Sequence, residues 1–206
     1  MNPQPDYASL TRADPNPVKR WLQARRLHDA VRMLGALSPV RIVDYGAGDG
    51  QLVHLLRQRL PDSEIICFEP SAQLFAQAQA HTASLSGVKL TDDIAAVPDA
   101  CADAIFCLEV FEHLPPQDTQ DAIAQMHRLL KTDGVLIVGV PVEIGAAALV
   151  KGGFRRLRRR DFDTDAARVV RAAVGQTDFA RHKVEFAPGL SYFPHHLGFD
   201  HRRLER

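Results

Sequence analysis

Four groups of residues in this chain carry side chains of the types that do chemistry. The first is Asp44-Tyr45-Gly46-Ala47-Gly48-Asp49-Gly50, a carboxylate followed by glycines at alternate positions. Glycine there lets the backbone take φ > 0 or lie against a ligand with no Cβ between them. The second is Glu69, 25 residues after Asp44. A carboxylate can accept from two adjacent hydroxyls at once, which is what a ribose presents. The third is Glu109-Val110-Phe111-Glu112-His113, where Glu109 and Glu112 share a face, with His113 beside them, if the turn is helical. The fourth is His195 in Tyr192-Phe193-Pro194-His195-His196. With His113 it is a candidate to accept a proton near neutral pH.

The elements that must position these groups are legible from periodicity. Val40 to Val43 is a short apolar run ending at Asp44, and Leu52, Val53, Leu55 and Leu56 then recur at helical spacing up to Pro61. Strand, glycine turn and helix form the entry unit of a doubly wound α/β fold, whose ligands bind at the carboxyl ends of the strands. Further strands are expected at Glu64–Glu69, from Gly87 to Leu90, at Ala104–Leu108 and at Gly134–Val140, with helices at Ser71–His81 and Gln117–Leu130 between them. Ahead of the first strand, Val18, Trp21, Leu22, Leu27, Val31 and Leu34 make one apolar stripe. This predicts an amphipathic helix from Pro17 to Leu37, capped by Asn16 and packed on the sheet through residues including Trp21. The fold class is therefore α/β, a mostly parallel sheet covered on both faces. Residues 1–16 read as a mobile arm and 17–206 as one domain, with a core over 38–141 and a variable segment over 142–206.

Composition narrows the functional classes. The formal net charge is zero, so no global field argues for nucleic acid or an acidic partner. Hydrophobic content of 46% and charged content of 24% are ordinary for a globular protein. Cys67, Cys101 and Cys107 form no CxxC pair, and an odd, unpatterned set points to a reducing compartment. The start lacks the basic and apolar regions of a signal peptide, and no apolar run approaches membrane-spanning length. The expectation is a cytoplasmic protein.

The glycine pattern separates two ligand classes. A dinucleotide fingerprint would need glycine where Gln51 stands, which argues against a dehydrogenase. GxGxG preceded by Asp44 resembles the first motif of the class I S-adenosyl-L-methionine (SAM) dependent methyltransferases. The segment Ala104 to Pro115, with its Leu-Glu-Val-Phe-Glu-His-Leu-Pro, resembles the type 11 and 3-demethylubiquinone O-methyltransferase relatives, as does His127 to Gly134 before the fifth strand. The resemblance implies that Gly46, Ala47, Gly48 and Gly50 wrap the amino-acid end of SAM and that Asp44 serves its amino group. It implies that Glu69 and Pro70 lie at the ribose, that Asp93 and Ile94 hold the adenine, and that Leu108 and Glu109 complete the cofactor site. The expected reaction is methyl transfer to a small-molecule, lipid-linked or saccharide acceptor at oxygen, with His113 and His195 as catalytic candidates. A catalytically degenerate SAM-binding partner protein is the alternative from another class. The family's terminal antiparallel strand pair is expected to be missing, because the alternation stops after Pro141.

Two expectations concern the remaining residues. Lys151 to Arg160 carries six basic residues in ten after the apolar Ile144 to Val150, which suggests peripheral contact with an anionic membrane. The small-RNA 3′-end methyltransferases show a similar Glu-x-x-Glu-His completed by a distant histidine. That resemblance implies a divalent-metal site on Glu109, Glu112, His113 and His195, and keeps an RNA acceptor as an alternative.

Overall fold

The computed structural model describes residues 17–158, 165–187 and 190–204. The expected arm over 1–16, the Asn16 cap and Arg159 and Arg160 lie outside them. The chain divides into two units. One comprises the chain up to Leu108 together with Ala122–Gly139; the other comprises Glu109–Asp121 and Val140 onward.

The first unit is built on a five-stranded parallel sheet. Its strands are β1 (Arg41–Tyr45), β2 (Glu64–Phe68), β3 (Val88–Thr91), β4 (Ala102–Leu108) and β5 (Leu130–Gly139), in the order β3-β2-β1-β4-β5. Helices α1 (Pro17–Arg32), α2 (Gln51–Arg59) and α3 (Ala72–Thr82) and the second half of α4 (Pro116–Leu129) accompany it. β1 lies at the centre, with four of its five residues buried: the apolar Ile42 and Val43, which a sheet covered on both faces requires, then Asp44 and Tyr45 at its carboxyl end. Its register pairs Asp44 with Cys67 on one side and Phe106 on the other. The chain runs outward from β1 to β3, then returns to place β4 on β1's other side. The topological switch therefore falls between β1 and β4, at the end where the glycine turn emerges. Leu34, Ile42, Val53, Leu56, Ile65 and Phe106 form the centre of the core.

Helix α1 differs from its sequence pattern. It ends at Arg32 rather than Leu37, and Ala30, Val31 and Leu34 are buried, whereas Trp21 is 57% exposed and Leu22 is exposed too. Burial is confined to the C-terminal end of the stripe. Trp21 instead carries the Arg25 guanidinium over its ring, 5.4 Å from the centroid. An apolar stripe sets which side a helix prefers to bury, not how much of its length finds a surface to bury against.

The second unit contains the first half of α4, with α5 (Ala146–Arg158), α6 (Ala166–Ala173) and the antiparallel pair β6 (Val184–Ala187) and β7 (Leu190–Tyr192). This antiparallel pair is an extra, minor element that the sequence reading did not place. It forms its own two-stranded sheet and does not extend the parallel one, where β5 remains an edge strand among the described residues. Its core is small: Ala148, Val169, Ala172 and Leu197, with Phe179 packed against them. Gly152 allows α5 to approach α6, since a Cβ there would lie 2.5 Å from Val169 Cγ1. After Asp200 the chain makes a single 3₁₀ turn, His201–Arg203, capped by the Asp200 side chain.

Candidate functional site

In the first unit the glycine turn is latched to the end of β2. The amides of Gly46 and Ala47 both donate to the Phe68 carbonyl at 2.9 Å. The Gly48 amide donates to Glu69 Oε2 at 2.9 Å, and Ser71 N donates to Glu69 Oε1 at 2.9 Å. Gly46, Gly48 and Gly50 have φ of 80°, 56° and 81°. At Gly48 an added Cβ would meet nothing within 4 Å, so this position borders open space. Gly50 is the N-cap of α2 and provides no side-chain cap for that helix.

The carboxylates beside the turn are both buried, but they are treated differently. Glu69 uses one oxygen on each of two backbone amides, and those amides work against burial, which raises its pKa. Asp44 has no such help. Its Oδ2 is buried without a hydrogen-bond partner, and burial together with the nearby Glu69 pushes its pKa up to about 7. An orphaned carboxylate oxygen beside a second carboxylate is a place for a cationic ligand group, which would hold Asp44 ionised. SAM carries such a group in its ammonium, and it has no phosphate for the turn to cradle. These residues therefore fit the cofactor that the glycine pattern implied.

The other cofactor candidates are positioned as follows. Asp93 caps the short 3₁₀ turn Ile94–Ala96 by accepting from Ala95 N at 2.9 Å, and its own amide donates to Thr91 Oγ1 at 3.1 Å. Asp93 is exposed and Ile94 half-buried. Pro70 follows Glu69 at the end of β2, and Leu108 is the last residue of β4, paired with Gly139. Glu109 has φ 56°, a left-handed conformation that is uncommon for a residue with a Cβ.

In the second unit a different group converges. Glu112, His113 and His196 each offer a ligand atom, and these atoms all lie within 4.8 Å of one another. Glu109 and His195, which the sequence pattern coupled to them, are not in the group. The reason at Glu109 is its left-handed backbone, so residues 109–112 are not the helical turn that a shared face requires. At the other end, the loop is pinned so that His196 rather than His195 turns toward His113. The Phe193 amide donates to the His113 carbonyl at 2.7 Å, and His113 Nδ1 lies 2.8 Å from the Phe193 carbonyl. The rings of His113 and His196 meet edge to face at 4.7 Å.

Two residues that the sequence reading did not single out, Arg181 and Glu143, hold this arrangement. Arg181 stacks over Phe193, 4.2 Å from its centroid, and donates to the carbonyls of Glu112 and His195. Glu143, 1% exposed, accepts from Lys151 Nζ at 2.8 Å and from Arg155 at 3.1 Å, and it lies 4.0 Å from His196 Nδ1. Two of the basic residues in the expected membrane-contact segment are therefore engaged by Glu143. A charged residue inside the apolar run after Pro141 was the available signal for Glu143; nothing local marks Arg181. Burial lowers the His113 pKa to about 4 and that of His196 well below its ordinary value, with nearby Arg181 acting in the same direction on both. Burial thus disfavours the charged form of both imidazoles.

Comparisons with known proteins match the stretch that carries the parallel sheet. Residues 43–136 match the family model of a methyltransferase domain. Trans-aconitate 2-methyltransferase of Methylobacterium radiotolerans is 29% identical over 133 residues, 63% of this chain and 50% of that protein. The protein of the same name from Methylobacterium nodulans is 28% identical over 161 residues, 77% of this chain and 58% of that protein. The chain thus spans about half the length of the curated relatives it matches. Among solved structures, a SAM dependent methyltransferase from Archaeoglobus fulgidus superposes with a TM-score of 0.54 at 14% identity, covering 76% of this chain and 68% of that one, a likeness of fold. No helix among the described residues is long and apolar enough to cross a membrane. The family match runs from within β1 to within β5, and Asp44 and the latched glycine turn lie inside it, so the segment similar to known methyltransferase domains is the one that carries the candidate cofactor site.

Proposed function

We propose that this chain transfers a methyl group from SAM to an oxygen atom of a small-molecule acceptor. The observation that carries the reading is Asp44, a buried carboxylate with one oxygen unpartnered beside a glycine turn held open by Glu69. SAM supplies a methyl group already activated on a sulfonium, so the protein's work is to bind, align and exclude water. Asp44 would take the ammonium, the turn's bare backbone the amino-acid end, and the remaining acceptor capacity of Glu69 the ribose hydroxyls.

Oxygen acceptors divide into those ionised at neutral pH and those that must lose a proton. His113 could accept a proton only weakly, because burial pulls its pKa to about 4 and its Nδ1 is committed to the Phe193 carbonyl. An acceptor that arrives ionised, a carboxylate, asks for no such base. The names of the curated relatives, trans-aconitate 2-methyltransferases, agree with a small-molecule acceptor.

The test is transfer from methyl-labelled SAM to separate pools: small carboxylic acids including trans-aconitate, saccharides, lipid extract and small RNA. The products are read by mass spectrometry. The expected product is a methyl ester of a small acid. A methylated RNA or lipid would overturn the acceptor class. Tight SAM binding with no product in any pool would favour a binding partner that has lost catalysis.

A further inference from the structure

One residue of the segment from His127 to Gly134 reaches well beyond its own helix. We propose that Arg128 is a positioning residue for the cofactor, its guanidinium fixing the turn that receives the nucleobase of SAM. The proposal rests on the reading of the glycine turn as a SAM site.

The sheet order gives the direction in which the ligand runs. Asp44 stands near the carboxyl end of β1, and Glu69 follows the end of β2. With the ammonium at Asp44 and the ribose at Glu69, the base lies on the far side of the ribose, at the end of the next strand, β3. Thr91, the last residue of β3, pairs with Phe68, and its carbonyl accepts from the Glu69 amide at 3.1 Å. Beyond Thr91 the chain turns through Asp93 and Ile94. The Asp93 side chain accepts from Ala95 N at 2.9 Å, and Val97 N donates to the Ile94 carbonyl at 3.2 Å. These bonds lie within the turn, so they set its shape without setting its place.

Arg128 ties the turn to the body of the unit. Its Nη2 donates to the Ile94 carbonyl at 2.8 Å, and its Nη1 donates to the Val97 carbonyl at 2.7 Å and to Asp99 Oδ1 at 2.5 Å. Its Nε donates to Gln125 Oε1 at 2.9 Å, one turn back on α4, which orients the guanidinium plane. The helix is itself anchored by the buried Ala122, Met126 and Leu129. The Arg128 carbonyl also accepts from Ala100 N at 2.8 Å, a bond that any residue at this position could make. The bonds to Ile94 and Val97 need the guanidinium. Its planar fork presents donors in fixed directions and holds two carbonyls three residues apart, whereas an ammonium on a flexible stem is a point charge. Binding groups must be held within about 0.5 Å of their productive geometry. A turn released from Arg128 therefore loses its hold on the base before the sheet loses its fold.

The experiment compares two ligands on the full-length protein by competition calorimetry. S-adenosyl-L-homocysteine carries the base; S-ribosyl-L-homocysteine keeps the amino acid and the sugar and lacks it. Arg128→Ala should weaken the first at least about tenfold, the scale of one lost charge-assisted hydrogen bond, and the second by less than about twofold. Arg128→Lys should fall between wild type and Arg128→Ala for the first ligand. Asp99→Ala removes a partner that is 76% exposed and should change either affinity by less than about twofold. Circular dichroism establishes that each variant is folded, and Arg128→Lys carries the comparison should Arg128→Ala not fold. Equal losses for the two ligands would overturn the proposal, as a general loosening of the unit does not distinguish them. Arg128 variants that bind S-adenosyl-L-homocysteine as wild type does would overturn it too, and leave the SAM reading standing. A wild-type protein that binds neither ligand would defeat the SAM reading and the proposal with it.

Discussion

The two units bury their carboxylates by different means. In the first, Glu69 is satisfied by backbone amides two and twenty-one residues away, those of Ser71 and Gly48. In the second, Glu143 is satisfied by the flexible side chains of Lys151 and Arg155. An amide is present whatever residue occupies the position, so the first arrangement follows from backbone shape. The second exists only if two particular side chains stand eight and twelve residues downstream on a helix. The first unit keeps one carboxylate, Asp44, without compensation, and that is where a cationic cofactor group belongs.

The sharpest way to break the comparison is to remove Glu143. Glu143→Ala leaves two cations facing a buried vacancy and should cost about 3–5 kcal/mol of stability by denaturant titration. Glu64→Ala removes the partner of Arg41 and Lys89 at a far more exposed site and should cost under about 1 kcal/mol. Similar losses in the two variants would erase the distinction between the buried and the surface pair.

On the cofactor side, Asp44→Asn and Glu69→Gln should each weaken SAM binding by about 1–3 kcal/mol, measured calorimetrically. Unchanged affinity in both would detach the glycine turn from the cofactor.

Proton linkage sharpens the role of Asp44. Its pKa in the folded protein, about 7, lies above the ordinary carboxylate value. Its contribution to the stability of the ligand-free protein is therefore fully present below that ordinary value and is lost as pH rises through about 7. A cationic ligand reverses this preference, so SAM affinity should increase from about pH 5.5 to about pH 7.5, with proton release on binding. The dependence should flatten in Asp44→Asn. A wild-type affinity that falls over the same range contradicts the assignment.

Glycine substitutions give the smallest expected effects. Gly50→Ala meets a φ of 81° and a Thr82 Cγ2 only 3.1 Å from the new Cβ, and should destabilise by about 1–2 kcal/mol. Gly153→Ala, within α5 and with nothing within 4 Å, should be neutral or stabilise by up to about 1 kcal/mol. Thermal unfolding of the pair reads the difference, and equal shifts would remove the argument from the left-handed turn.

What the sequence by itself determined is the backbone of the first unit. The apolar run into Asp44, the alternate glycines, the helical spacing after Gln51 and the strand ending at Glu69 are local patterns, and each produces its element without reference to distant residues. Their order then leaves few topologies, because parallel strands need right-handed crossovers. Tertiary structure alone decided the rest. The reading of Trp21 as core failed because the extent of burial along α1 depends on what lies beside it, not on the helix's own period. The separate pair β6 and β7 left no mark on the sequence pattern because its strands are only four and three residues long, too short for a periodic signal. His196 was passed over for its neighbour because the choice depends on a bond between residues 80 positions apart, His113 and Phe193, and on an Arg181 that nothing local announces. Local periodicity encodes how a backbone bends; which side chains finally meet depends on contacts that only the folded chain creates.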